Sequence, residues 1–433
     1  MSSAFGLMLL VFLVGFLIRM PVGYSMLSSG VVYFLASGEG LRNASALISN
    51  GYYSKFILIA VPMFIFGAQV MNDSTVTTRI FEFAHAVVGR MHGGLAQVNV
   101  VNSVIFSGMS GSAIADASGT GTMEIKAMRD AGYPRGFACA TTAASATIGP
   151  IIPPSIPMVI FAYLSGTSVG MLFAGGIVPG LFLSAMLMVF IRIIAKRRRF
   201  ERQQWLGMAH LMATFLRALP AVLTPVILLG GIYSGAFTPT EAAGVAALYA
   251  IALAALVYRS LGPRQLWEVV GSATSQSAKV GLLIGGAFLL NYAIAVEGIP
   301  RAAADLLLSF TIGSIGLLII VNVVFLLMGM FLDTTVMLLV MIPIILPTLL
   351  QAGVDPVHFG VTITLNMMIG LSTPPFGVLL FIVGAGSRTP LREVIREIWP
   401  FLAIMFVTLW VLVFVPEIVL FVPELLGYVP VGG

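Results

Sequence analysis

Charge is scarce in this chain. Only 9% of its 433 residues are Asp, Glu, Lys or Arg and 59% are hydrophobic, whereas a soluble globular domain carries about 25% charged residues. Cysteine is scarcer still: Cys139 stands alone, so no intrachain disulfide can form and a cysteine-based metal motif is excluded. Histidine is limited to His85, His92, His210 and His358, scattered along the chain with no HExxH string, which leaves an intramembrane zinc enzyme without its ligands. An enzyme is therefore not expected. The first residues, Met1-Ser-Ser-Ala-Phe-Gly, carry neither a basic n-region nor an Ala-x-Ala cleavage site, so the first apolar run reads as a retained span.

What the chain has is apolar length. Many stretches approach 20 residues, each able to cross roughly 30 Å of hydrocarbon, and mean hydropathy is +1.04. The fold class expected is an all-α polytopic protein of the lipid bilayer. The net charge of +5 does not point to nucleic acid, because the basic residues fall in short loops between spans, where a Lys/Arg excess sets orientation. The run Lys196-Arg-Arg-Arg-Phe-Glu-Arg202, with Trp205 and Arg217, marks a cytoplasmic connecting arm over 196–218 between halves at 1–195 and 219–433. Spans are expected near 4–19, 22–37, 55–71, 136–165 and 168–195, then near 219–236, 240–258, 274–297, 357–386 and 398–422, with interfacial segments near 76–91 and 259–272. Five crossings per half put both termini on the periplasmic side. They also place Arg19, Arg79, Arg90, Lys126, Arg129 and Arg135 in the cytoplasm, as the basic-loop rule requires.

The halves repeat each other. Ala131, Gly132, Thr141, Ile148, Gly149, Pro153 and Pro154 recur as Ala352, Gly353, Thr362, Ile369, Gly370, Pro374 and Pro375, and Gly108-Met109 as Gly329-Met330, every pair 221 positions apart. An odd number of crossings makes the repeats inverted. A Gly/Pro interruption at matching points of inverted repeats marks a secondary transporter whose site lies between discontinuous helices. Each repeat also holds a re-entrant hairpin, 95–130 and 313–351, with tips Ser107-Gly-Met-Ser-Gly-Ser112 and Gly329-Met-Phe-Leu-Asp-Thr-Thr335. The interrupted helices, 136–165 and 357–386, break at Gly149–Ser155 and Gly370–Pro375. Non-helical backbone at membrane depth survives only where protein or a wet cavity satisfies it. There the freed carbonyls, with Ser, Thr and Asp oxygens, offer one hard-cation site per repeat, and N–H groups at half-helix starts favour an anionic substrate group.

Each motif also has a plainer reading. A Gly/Ser pair in a membrane helix can be a close-packing surface, and it is the recurrence that argues for function. Asp333 stands where Ser112 stands in the first repeat. The two cation sites should then differ in charge, and an ionisable group at depth is functional by default. Asp116 and Glu124 stay open between a functional role and pairing with Lys126, Arg129 or solvent. Gly119-Thr-Gly-Thr-Met-Glu124 has the glycines of a dinucleotide loop, but no strand precedes it. Thr238-Pro-Thr-Glu241 fits a capping box that opens a span.

The runs Ser110-Gly-Ser-Ala-Ile-Ala-Asp116, Gly132-Tyr133, Ala144-Ser-Ala-Thr-Ile-Gly-Pro-Ile-Ile-Pro-Pro-Ser-Ile156 and Gly230-Gly-Ile-Tyr-Ser-Gly-Ala-Phe-Thr-Pro-Thr-Glu-Ala-Ala243 resemble the large membrane subunit of the tripartite ATP-independent periplasmic (TRAP) transporters over essentially the whole chain. The resemblance implies an elevator-type ion transporter architecture in the bacterial cytoplasmic (inner) membrane, importing a small organic anion with sodium. It also implies two partners, a small four-span membrane subunit and a soluble periplasmic substrate-binding protein. The former is expected as a separate polypeptide, since this chain begins directly with the large subunit. At the matching positions it implies sodium ligands at Ser107, Gly108, Ser110, Ser112, Gly149, Gly329, Asp333, Gly370 and Thr373. Substrate contacts are expected at Ser145, Pro153, Pro154, Ser155, Thr362, Asn366, Ser372, Pro374 and Pro375. Moving one charge against the membrane potential is worth about 2.3 kcal/mol per 100 mV, so two or more sodium ions are the expected drive. The alternative is a single-component sodium/anion symporter that needs no binding protein.

Overall fold

The 221-residue repeat reappears in where the helices begin and end. The computed structural model describes residues 2–200, 204–309 and 313–431, and every regular element among them is helical. The first half opens with α1 (Ser3–Leu17), α2 (Val22–Ala36), α3 (Leu41–Tyr53), α4 (Ala60–Asn72) and α5 (Val76–Val88). The hairpin follows as α6 (Gly94–Ser110), α7 (Ala113–Ser118) and α8 (Thr120–Asp130). The interrupted helix is α9 (Arg135–Ala146) and α10 (Ile156–Ser165), and α11 (Val169–Arg197) closes the half. The second half runs α12 (Met208–Tyr233), α13 (Pro239–Ala252), α14 (Pro263–Val296) and α15 (Ile299–Ser309). Its hairpin is α16 (Ser314–Gly329) with α17 (Thr334–Gln351), its interrupted helix α18 (Pro356–Leu371) with α19 (Val378–Ser387), and α20 (Leu391–Phe414) and α21 (Glu417–Leu425) end the chain. Starts at 113 and 334, ends at 130 and 351, and starts at 135 and 356 each differ by 221.

The interrupted helices form the centre. Every residue from Gly136 to Ala146 and from Val357 to Leu371 is buried, as a helix without a polar face must be. Small side chains let α9 be enclosed on all sides, while Leu10, Leu13 and Leu17 on α1 and Leu216 and Val226 on α12 point outward. Among the described residues six helices are long and apolar enough to cross a membrane, or seven if the bent pair Leu41–Tyr53 and Phe56–Asn72 counts as one span. The capping box at Thr238 forms as expected: Glu241 N donates to Thr238 Oγ1 at 3.3 Å and Thr238 N to Glu241 Oε2 at 2.8 Å.

Several boundaries differ from the sequence expectation. In the first half the span expected at 55–71 is preceded by α3, which meets it at a bend of 74° around Ser54-Lys55. The matching stretch of the second half is one 34-residue helix, α14. With no breaker between Pro263 and Val296, the interfacial segment expected at 259–272 and the span at 274–297 fuse, giving a helix about 51 Å long at 1.5 Å per residue. The second arm of the first hairpin kinks at Gly119, where an added Cβ would sit 2.4 Å from Asn72 Oδ1 of α4; its counterpart α17 is unbroken. The last span stops at Phe414 because Val415 precedes Pro416 and is extended, with φ −124°. The connecting arm is shorter than 196–218, since α12 starts at Met208; Glu201 and Arg202 of the basic run lie outside the described residues.

Candidate ion and substrate site

Each hairpin tip lies against the break in its own repeat. In the first, Ser107 to Gly111 are buried. Gly111, at φ +59°, takes the left-handed turn that lets the tip reverse, and an added Cβ there would lie 2.5 Å from Pro154 O. Ser110 Oγ is buried with no hydrogen-bond partner among the described residues. Ser107 Oγ donates to Val104 O at 2.6 Å, and Ser112 caps α7 by accepting from Ala115 N at 3.3 Å. Prolines 153 and 154 have no N–H, and among the described residues the carbonyls of Gly149, Pro153 and Pro154 accept no hydrogen bond. Gly108 faces elsewhere: an added Cβ would meet Pro225 of α12 at 2.8 Å.

The second repeat keeps the plan with different chemistry. Gly329 and Gly370 touch backbone to backbone, a Cβ on Gly370 lying 2.9 Å from the Cα and carbonyl carbon of Gly329. Asp333 takes the capping place of Ser112, its Oδ1 accepting from Thr335 N at 2.8 Å. Thr373 Oγ1 is buried and donates to Ile369 O at 2.6 Å. Pro375 and Phe376 are exposed, and the Phe376 ring packs on Phe331 of the tip at 5.3 Å.

Both tips open onto one cavity of about 610 Å³, lined by Gly111–Ala115, Asp333–Thr335, Pro150 and Ile156, and by polar residues of α4 and α14. Gln276 Nε2 donates to Gln69 Oε1 at 3.2 Å and Gln69 Nε2 to Asp73 Oδ2 at 3.3 Å, so the two helices share a polar chain along that wall. Lys279 of α14 also lines it. Sequence reading missed all four. The available signal was a lysine halfway along an apolar helix.

Several expected substrate contacts do other work. Ser145 and Asn366 are 221 apart, and both tie an interrupted helix to the first arm of its hairpin. Ser145 Oγ donates to Asn99 Oδ1, while Asn366 Nδ2 donates to Asn322 O at 2.7 Å and Oδ1 at 2.8 Å. Thr362 Oγ1 returns to His358 O at 2.8 Å. Ser155 donates to Pro150 O at 2.5 Å and caps α10, and Ser372 Oγ donates to Ala143 O at 3.5 Å. Pro153, Pro154, Ser155, Ser372, Pro374 and Pro375 shape the breaks but do not line the cavity. Asn366→Ala is accordingly expected to lower stability by about 1–3 kcal/mol, the cost of leaving a buried partner unsatisfied, with little change in substrate KM. A raised KM at unchanged melting temperature would return Asn366 to the substrate site.

Asp116 and Glu124 do not pair with Lys126 or Arg129. Both carboxylates are buried; Asp116 Oδ1 accepts from Thr120 Oγ1 and Glu124 Oε1 from Asn102 Nδ2, each at 2.5 Å, while Arg129 donates to Ser387 O at 2.9 Å. A Gly-x-Ser-x-Gly string at 166–170 is no nucleophile elbow, since it joins α10 to α11 and Ser168 only caps the latter, accepting from Met171 N at 3.4 Å.

Known proteins resemble this chain over most of its length. The family model described as tripartite ATP-independent periplasmic transporter, DctM component, matches residues 9–418. The sialic acid TRAP transporter large permease protein SiaM of Vibrio cholerae is 39% identical over 92% of this chain and 93% of its own. The C4-dicarboxylate TRAP transporter large permease protein DctM of Pseudomonas aeruginosa is 36% identical over 90% and 92%. The 2,3-diketo-L-gulonate TRAP transporter large permease protein YiaN of Escherichia coli is 33% identical over 94% and 95%. The crystal structure of the Alcanivorax borkumensis YdaH transporter superposes with a TM-score of 0.66 at 14% identity, covering 87% of this chain and 88% of that one, which is a likeness of fold. A chain matched along nearly its whole length by that family model and by these permeases belongs to the TRAP transporter family, as its large membrane (DctM) component.

Proposed function

We propose that this chain is the translocation subunit of a sodium-coupled importer of a small organic acid in the bacterial inner membrane. One observation carries the reading: two hairpin tips and two helix breaks meet around a single cavity. The oxygens at those meetings suit sodium. Among the described residues Ser110 Oγ is buried without a partner and the Gly149, Pro153 and Pro154 carbonyls accept nothing, so a hard cation would supply what those groups lack. At the second tip Asp333, Thr373 and the Gly329–Gly370 backbone are the corresponding ligands. Bound there, sodium supplies positive charge beside the substrate's acid group, and two or more such ions draw the anion inward with the membrane potential. The relatives named for sialic acid, C4-dicarboxylate and 2,3-diketo-L-gulonate support an organic acid as the substrate.

The proposed motion is an elevator, and the way the tips are held supports it. In each repeat the first hairpin arm is tied to the interrupted helix, by Asn99–Ser145 in one and Asn322–Asn366 in the other, contacts that would keep each pair together in a moving body. The proposed orientation has both termini periplasmic. Arg135 and Arg198 pair with Glu393 and Glu397, each at 2.8 Å, at the proposed cytoplasmic end, and Asp355 accepts from Tyr428 at 2.8 Å at the other. A small four-span membrane subunit and a periplasmic binding protein complete the machine. The test is uptake of organic acids by proteoliposomes holding all three components under a sodium gradient, with potassium as control; equal uptake in potassium overturns the coupling. Gly370→Ala should then weaken sodium affinity roughly tenfold or more, since overpacking a backbone contact costs about 1–3 kcal/mol. Unchanged sodium affinity in this variant would remove the Gly329–Gly370 contact from the ion site.

A further inference from the structure

We propose that Lys279 of α14 receives the acid group of the transported anion from the cavity wall outside the hairpins. This rests on the reading of the chain as an organic-acid importer and assigns the anion's charge partner. Lys279 sits 16 residues after Pro263 and 17 before Val296, halfway along the longest helix. It lines the same cavity as both tips and is the only Lys or Arg among the described residues that do so. An ammonium on a membrane-spanning helix persists where it has a partner or a function. No protein partner is present: among the described residues Lys279 forms no ion pair. The two carboxylates that line the same cavity are engaged locally, Asp73 accepting from Gln69 on the α4 side and Asp333 capping α17 at the hairpin tip.

The position 221 residues earlier is Leu58, an apolar residue in the short turn Phe56–Ile59 beyond the bend of the first half, so the charge belongs to the second half alone. Lys279 is exposed to the cavity, where its flexible four-carbon stem carries three rotatable donors. Such a point charge accepts a carboxylate or a sulfonate without requiring the fixed fork geometry of arginine. Its place on α14 has a further consequence. An anion held between Lys279 and the hairpin tips bridges the two bodies, and must leave the lysine when the tips slide away. Lys279 would thus capture the acid in the open state without travelling with it.

The experiment uses the complete three-component system in proteoliposomes. Wild type must first show sodium-driven uptake; failure there rejects the functional reading before Lys279 is tested. Lys279→Gln is expected to raise KM for the acid roughly tenfold or more, as loss of one charge-assisted contact does. Thermal stabilisation of the purified protein by sodium should be unchanged, since the ion ligands lie elsewhere. Lys279→Arg should keep KM within about threefold, the charge being retained. A wild-type KM in Lys279→Gln overturns the proposal, as does an equal rise in KM on Asp73→Asn, which would make the lysine one half of a structural pair. If Lys279→Gln does not insert, Lys279→Cys in a Cys139→Ser background decides. Restoration of low KM by a cationic thiosulfonate reagent but not by an anionic one supports the assignment, and equal behaviour of the two modified carriers overturns it.

Discussion

Asp333→Asn is expected to abolish sodium-driven uptake while leaving the protein folded and inserted. The side chain has two duties that the substitution separates. Its Oδ1 accepts from Thr335 N at 2.8 Å and so caps α17, a role that the amide oxygen of Asn performs about as well. Its charge is the second duty, and Asn removes it. The equivalent Ser112 is neutral and also a cap, which shows that the hairpin turn needs an oxygen at this place but not a charge. On the proposed reading, the charge of this carboxylate on the cavity wall serves the ion. Loss of a charged contact worth about 3 kcal/mol lowers sodium affinity roughly a hundredfold, enough to silence transport at ordinary sodium concentrations. Melting temperature in potassium should stay near wild type while the extra stabilisation by sodium shrinks. Wild-type uptake with an unchanged sodium dependence would take Asp333 out of the site.

The same contrast explains what could be read before the structure. Positions whose chemistry acts on their own backbone were legible: Pro153, Pro154, Pro374 and Pro375 cannot continue a helix, and the breaks lie where they stand. Thr238 and Glu241 cap within four residues, so their box was visible too. Residues whose role depends on a distant partner were not legible. Ser145 and Asn366 lie beside the breaks and carry polar side chains, as substrate ligands would, yet their partners Asn99 and Asn322 lie 46 and 44 positions away. Asp116 and Glu124 had basic neighbours in sequence, but the helix turns those neighbours to another face. Lys279 falls near the start of the span expected at 274–297, and only the continuity of α14 from Pro263 puts it at the middle of a helix. The bend between α3 and α4 against a straight α14 is likewise a difference in packing between repeats that share their periodicity.

Proteoliposomes containing this chain alone are expected to take up free organic acid no faster than empty vesicles, and to gain sodium-dependent uptake only with the small membrane subunit and the loaded binding protein. An elevator needs a frame that stays fixed while the hairpins slide. In this chain α14 and α2 pack on each other, as do α4 and α13, but the outward faces of α1 and α12 carry Leu10, Leu13, Leu17, Leu216 and Val226 uncovered by protein. Lipid satisfies such faces without holding them still. A second membrane subunit laid against them adds width and fixes the tilt of the frame. Among the described residues the cavity offers a single cationic side chain for the substrate, so free acid at low concentration occupies it seldom. A docked binding protein raises the local substrate concentration toward the millimolar range expected of a tethered partner, which fills the same weak site. Omission of either partner should thus lower initial uptake to the leak rate, while sodium should still raise the melting temperature of the isolated chain, whose own residues are the proposed ion ligands. Robust sodium-driven uptake by the purified chain with free substrate would sink the tripartite reading and promote the single-component symporter in its place.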